Sequence, residues 1–168
     1  MTSRWMKIQK KEKINKGCDM ITSFFHKYNK NKHIMNTLKE ILLYIWQLPQ
    51  NLLGLIMLLF MKPYVSKEKY RGITYVVSKK MSGGISLGNY IILSDSYKDK
   101  ERSQKVWDHE WGHTRDSRMF GPLYLLVIGL PSIIWAWLYG SVIPYTTNGY
   151  YKFYTEKRAD RLGGVVRK

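Results

Sequence analysis

"WDHEWGHTRDS", Trp107–Ser117, holds two of the chain's four histidines, four residues apart, with a glutamate directly after the first. Positions i and i+4 of a helix are neighbours on one face, with Cβ atoms about 5–6 Å apart. His109 and His113 can therefore hold one zinc ion between their imidazoles. Glu110 then sits beside the metal's water, where it can take a proton. The competing reading is a polar helix face with satisfied histidines. The flanks support a helix over Lys100–Arg118, with Ser96 or Asp99 as N-cap and Gly121-Pro122 as the stop. Gly112 costs that helix about 1 kcal/mol relative to alanine, and it leaves room for another backbone to approach.

A hydrolytic zinc site takes three protein ligands and leaves the fourth position open. The longer H-E-x-x-H-x-x-G-x-x-H pattern is absent. Asp116 stands where its glycine belongs and Met119 where its last histidine belongs. No histidine follows His113, so the third ligand is a carboxylate, or else His26 or His33 from "FFHKYNKNKH", Phe24–His33, which has no metal-ligand spacing. Downstream, "YTEKRADRLGG", Tyr154–Gly164, sets Glu156 and Asp160 at i and i+4 on a second helix. Glu156 can reach the metal, and Asp160 can hold the free nitrogen of a ligand histidine. The plainer alternative pairs both acids with Lys157 and Arg161.

H-E-x-x-H followed by E-x-x-A-D resembles the gluzincin class of zinc metallopeptidases. "EKRADRLGG" is similar to its membrane-associated branch, which includes prenyl-protein endopeptidases and bacterial heat-shock membrane peptidases; small minigluzincins share the two-helix core. The resemblance implies His109, His113 and Glu156 as ligands of Zn2+, Glu110 as general base and Asp160 as support for a ligand histidine. It also implies an edge strand that binds extended substrate, for which Ile85, Ser86, Leu87 and Gly88 are in place. With no histidine left to stabilise an oxyanion, Tyr150, Tyr151 and Tyr154 are the candidates.

Two uncharged apolar runs flank this region: Ile41–Met61, of 21 residues, and Phe120–Tyr145, of 26. Each is as long as the roughly 20 residues of a spanning helix. Gln47, Pro49, Gln50 and Asn51 interrupt the first; Gly129, Pro131 and Ser132 interrupt the second. Each run is a kinked span, a shallow helical hairpin or part of a packed apolar bundle. The net charge is +16, and residues 1–40, 62–119 and 144–168 are all rich in Lys and Arg. Such segments stay on the cytoplasmic side. A straight span through 120–145 would also part Glu156 from His109 and His113, so a hairpin broken at "GLPS" is expected.

"GITYVVS", Gly72–Ser78, and "ISLGNYIIL", Ile85–Leu93, read as a β-hairpin or two neighbouring antiparallel strands. The expected fold is α+β, a small zincin-like core with two Pro-broken apolar segments. The expected domains are a basic arm (1–40), an apolar membrane segment (41–61) and a peptidase domain (62–168) with its apolar hairpin at 120–145. In the arm, Ile21, Phe24, Phe25 and Tyr28 suit a helix lying on an anionic bilayer, or a solvated tail. A lone cysteine, Cys18, excludes an internal disulfide framework. The expected function is a membrane-associated zinc endopeptidase facing the cytoplasm, acting on a peptide or protein. The alternatives are a metal-stabilised membrane adaptor without activity, or a basic protein binding anionic lipid. Nucleic acid is the weaker form of that last reading, because the charge adjoins apolar runs.

Overall fold

The computed structural model describes residues 27–28, 30–141 and 149–167. The expected helix around Ile21, Phe24 and Phe25, with Cys18 and His26, lies outside the described residues. The chain divides into two compact units, Met1–Leu42 and Leu43–Lys168. The first apolar run, from Leu43 onward, thus belongs to the unit that carries the motif helices.

The fold is α+β. Helix α1 is described over Lys30–Trp46. After it come α2 (Leu48–Phe60), β1 (Ser66–Tyr70), β2 (Ile73–Ser78), β3 (Gly84–Leu87), β4 (Tyr90–Ser94), α3 (Gln104–Phe120), α4 (Leu130–Ser141) and α5 (Tyr154–Gly163). The strands form one mixed sheet in the order β1-β2-β4-β3.

Two expectations for the sheet are corrected. Ile85–Leu93 is not one strand, because Gly88-Asn89 is a two-residue hairpin turn that folds Leu87 onto Tyr90. A Gly-Asn pair between apolar runs is a hairpin signal. The returning strand β4 then inserts beside β2 and runs parallel to it, so the strongest strands are not antiparallel neighbours. Strand β1, "SKEKY", carries no apolar alternation; it pairs with β2 through Arg71-Gly72, both at positive φ. Its lysines suit an edge that must not recruit another chain.

The sheet is buried on both faces. Ile73, Tyr75, Val77, Ile91 and Leu93 pack with Trp107 of α3, and the Tyr75 and Trp107 rings stack with centroids 4.4 Å apart. On the other face, Val76 and Ile92 pack with Leu58 of α2. The polar residues that interrupt the first apolar run prove to be the inward stripe of its second half. Gln47, Gln50 and Asn51 are fully buried. Gln50 donates to Ser117 Oγ at 3.0 Å and to the Gly121 carbonyl at 2.8 Å, and Ser117 donates to Gln47 Oε1 at 2.8 Å. Asn51 Oδ1 accepts from the Asn89 backbone at 2.8 Å.

The expected reversal at "GLPS" is not formed. A π-helical turn, Leu125–Gly129, runs into α4 through Pro131. Proline has no N–H and its ring crowds the carbonyl four residues back; a widened turn accommodates both effects. The carbonyl left over belongs to Val127, and the Tyr154 hydroxyl donates to it at 2.6 Å.

Helices α3 and α5 lie against each other at two glycines. A Cβ on Gly112 would come within 2.0 Å of the Ala159 carbonyl oxygen, and one on Gly163 within 2.1 Å of the Asp108 carbonyl oxygen. Both obstacles are backbone, which cannot swing aside. Gly112→Ala is therefore expected to destabilise the fold by about 1–3 kcal/mol, despite the better helix propensity of alanine. Gly140→Ala, which faces open space, should instead gain up to about 1 kcal/mol. Thermal unfolding of the two variants should show shifts of opposite sign.

Candidate metal centre

The crossing of α3 and α5 brings the two sequence motifs together. His109 and His113 project from α3 and Glu156 from the first turn of α5, all three buried. One ligand atom from each lies within 4.8 Å of the others. Glu156 Oε2 is 3.1 Å from His109 Nε2, and its Oε1 is 3.8 Å from His113 Nε2. His33 lies on α1, exposed and outside this cluster. The acids of α5 pair with the histidines and Arg167 rather than with Lys157 and Arg161.

Asp160 stands one turn beyond Glu156 and places Oδ1 2.7 Å from His109 Nδ1. Arg167 then grips both oxygens of Asp160, at 2.6 and 2.9 Å, while its guanidinium lies 3.2 Å from the centre of the Tyr151 ring. Tyr151 in turn meets the His109 ring edge-on at 5.6 Å. Glu156 is steadied from the opposite side, where Ser132 Oγ donates to Oε1 at 2.5 Å and Thr155 Oγ1 at 3.1 Å.

These contacts test whether a metal fits. With Asp160 accepting, Nδ1 of His109 carries its proton and Nε2 presents a lone pair. That lone pair faces a carboxylate oxygen at 3.1 Å, so a cation must lie between them. In the metal-free protein the cation is a second proton. Burial opposes the charged ring, but hydrogen bonds with Asp160 and Glu156 outweigh it and raise His109 from its ordinary 6.5 to about 9. Burial likewise opposes the charge of Glu156, yet both histidines hold it well below the carboxylate range. Asp160 is lowered in the same way, by His109 and Arg167 against burial. Two imidazoles and one carboxylate are a donor set for a divalent transition metal, which would take the place of that proton.

Glu110 is held against the sheet edge. Ser86 Oγ lies 2.6 Å from Glu110 Oε2 and 2.8 Å from the Glu110 carbonyl oxygen. A Cβ on Gly84 would meet Glu110 Oε1 at 2.3 Å, so the bare strand makes space for the carboxylate. Glu110, His113 and Glu156 line a cavity of ≈ 490 Å³ together with Gly84, Ile85, Ser86 and Leu87 of β3. A second cavity, of ≈ 360 Å³, brings Glu110 and His109 together with Arg167, Tyr150 and Tyr151.

The tyrosines divide. Tyr150 lines both cavities; burial, the charges of Glu156 and Glu110, and a hydrogen bond with Glu156 all raise its hydroxyl. Tyr151 is the platform for Arg167. Tyr154 is corrected, because its hydroxyl is committed to the carbonyl that Pro131 leaves unpaired. Gly88 is corrected too. It sits in the hairpin turn, where a Cβ would meet Asn51 Oδ1 at 2.1 Å, and so it docks α2 rather than lining the edge. Ser132 and Arg167 carry no spacing signal that singles them out in the sequence, and Ser86, expected only as part of the edge strand, carries none for its bond to Glu110. Comparisons with protein-family models, curated proteins and solved structures give no match to this chain.

Two outcomes follow for metal binding. Glu156→Ala should abolish stoichiometric zinc uptake in elemental analysis, while Asp160→Asn should weaken it about 10–100-fold in a chelator competition, because an amide can turn its NH2 toward His109. The raised pKa of His109 also fixes a sign. Its proton stabilises the metal-free fold fully below about pH 6.5, and that contribution is lost as the pH rises through about 9. Calorimetry in buffers of different ionisation enthalpy should therefore record release of about one proton from His109 per zinc at pH 7, about half a proton near pH 9 and little above about pH 10.

Proposed function

We propose that this chain is a zinc-dependent metallopeptidase of gluzincin type, built on a small zincin-like core and carried on the cytoplasmic side of a membrane. The observation that carries the reading is the shared cavity. Glu110 opens onto one space with His113 and Glu156, bordered by the edge strand β3, and His109 reaches Glu110 from the adjoining cavity.

A divalent ion held by His109, His113 and Glu156 would supply Lewis acidity, polarising a carbonyl and making water a better nucleophile near neutral pH. The protein residues do the rest. Glu110, braced by Ser86, takes a proton from water and delivers it to the departing amine. Tyr150 turns a neutral hydroxyl, kept protonated by burial, toward the developing oxyanion. The register of β3 sends the backbone groups of Gly84 and Ser86 outward, since Ile85 and Leu87 are the residues that bond to β4. An extended peptide can add to that edge in strand fashion. The Ser86 carbonyl already accepts from Tyr124 at 3.0 Å, so pairing falls to the Ser86 N–H and to Gly84. A strand edge reads the middle of a peptide, which favours an endopeptidase.

The cytoplasmic placement rests on Lys and Arg in every segment outside the apolar runs. Among the described residues, no single helix is long and apolar enough to cross a membrane.

Glu110→Gln should lower kcat/KM by about 10²–10⁴-fold on quenched-fluorescence peptides while zinc content stays at the wild-type level. Full activity in that variant would overturn the mechanism. Tyr150→Phe should lower kcat by about 10²-fold and leave KM nearly unchanged.

A further inference from the structure

Helix α2 is built inside out. A helix on the surface of a water-soluble protein turns its polar side to solvent, whereas α2 buries Gln50 and Asn51 and exposes Leu48, Leu52, Leu55, Ile56, Leu59 and Phe60. Helix α4 follows the same plan, with Tyr139 its only buried residue. Phe60 is 67% exposed, Leu126 in the turn before α4 is 65% and Trp137 is 64%. Soluble monomers rarely show apolar surface on this scale.

The two helices are walls of one cavity. Exposed Leu53 from α2 and exposed Leu130 and Ile133 from α4 line the space that also contains Glu110, His113 and Glu156. Positive charge adjoins this surface. Exposed Lys62 lies two residues past the end of α2, and Lys80 sends its ammonium to the Phe60 carbonyl at 3.0 Å. The charge of the whole chain is +16.

We propose that the exposed faces of α2 and α4 dock into the anionic leaflet of a bilayer, so that the cavity opens sideways into lipid and receives an apolar peptide segment held in the membrane. The leaflet is the occupant that fits both features, since apolar side chains enter the acyl boundary while lysines meet the headgroups. A soluble protein partner would have to carry an acidic rim beside its apolar patch to do the same, whereas an anionic leaflet has both by composition. The cavity follows the same logic, since Leu53, Met81, Ile85, Leu87, Leu125 and Ile133 meet the substrate there. That the bound segment is then cleaved rests on the peptidase reading; docking and lateral entry do not.

The test uses the full chain, zinc-loaded and carrying Glu110→Gln so that no peptide is consumed. It is mixed with vesicles of phosphatidylglycerol and phosphatidylcholine, with and without a membrane-spanning polyleucine peptide that bears a photo-leucine. The protein should float with the vesicles. Leu126→Glu should weaken that binding by about tenfold or more. Val166→Glu should change it less than about twofold, because Val166, though 75% exposed, follows α5 and belongs to neither α2 nor α4. Photo-cross-links should map to Leu53, Met81, Leu130 and Ile133. Retained zinc stoichiometry shows that each variant is folded. Failure to float, equal effects of the two substitutions, or cross-links confined to residues outside the cavity would overturn the proposal. None of these readouts needs turnover. A chain that docks and cross-links but never cuts defeats only the peptidase reading, and one that cuts soluble peptides without docking defeats this proposal and the membrane placement while the peptidase chemistry stands.

Discussion

The contact between α3 and α5 is the constraint on which the rest depends. Helices usually pack with axes about 8–10 Å apart. Here Gly112 meets the Ala159 carbonyl and Gly163 meets the Asp108 carbonyl, so nothing larger than hydrogen separates the backbones at either point. The contact sets how far Glu156 stands from His109 and His113, and ligand distances around a metal tolerate errors of only about 0.2 Å. Fully buried Asp116 pairs with Arg158 at 2.5 Å and adds a third tie between the same helices. Burial pushes the Asp116 carboxyl up while Arg158 draws it back. A residue out of place for the longer zinc pattern thus serves as a brace between α3 and α5.

Charge in the site is arranged as a relay of partners. Glu156 needs a cation, His109 supplies it as a proton or yields to a metal, and Asp160 fixes which nitrogen of His109 is free. Arg167 then neutralises Asp160 and rests on Tyr151. Buried charges are tolerated only when paired, and each member here has its partner within hydrogen-bond reach. The metal site and the α5 helix are therefore one electrostatic unit.

The site was more legible in the sequence than the sheet. His109 with His113 and Glu156 with Asp160 obey i, i+4 spacings, and Glu110 directly follows His109; such spacings are local and survive any tertiary arrangement. Gly112 was also readable as a point of close approach. Strand pairing is not local, and the run Ile85–Leu93 hid a turn at Gly88-Asn89 among strong β-formers, so the parallel pairing of β2 with β4 was missed. The charged strand β1 had no apolar period to find. Gln47, Gln50 and Asn51 read as interruptions because inward and outward faces of a helix cannot be told apart when solvent is not the only possible surrounding. Pro131 suggested a reversal, yet a π-turn and the Tyr154 hydroxyl absorb its cost, and that compensation comes from a residue 23 positions away.

The π-turn and α4 around the same proline are clasped to α5 at two points, Val127 to Tyr154 and Ser132 to Glu156. A wall fastened in this way is not a door. Swinging α4 outward would break its bond to Glu156, one of the three residues that could hold a metal ion, so the cleft cannot gape on that side without disturbing the cluster. Whatever the cavity receives thus meets a wall of fixed position, so its width rather than a closing motion of α4 sets what fits.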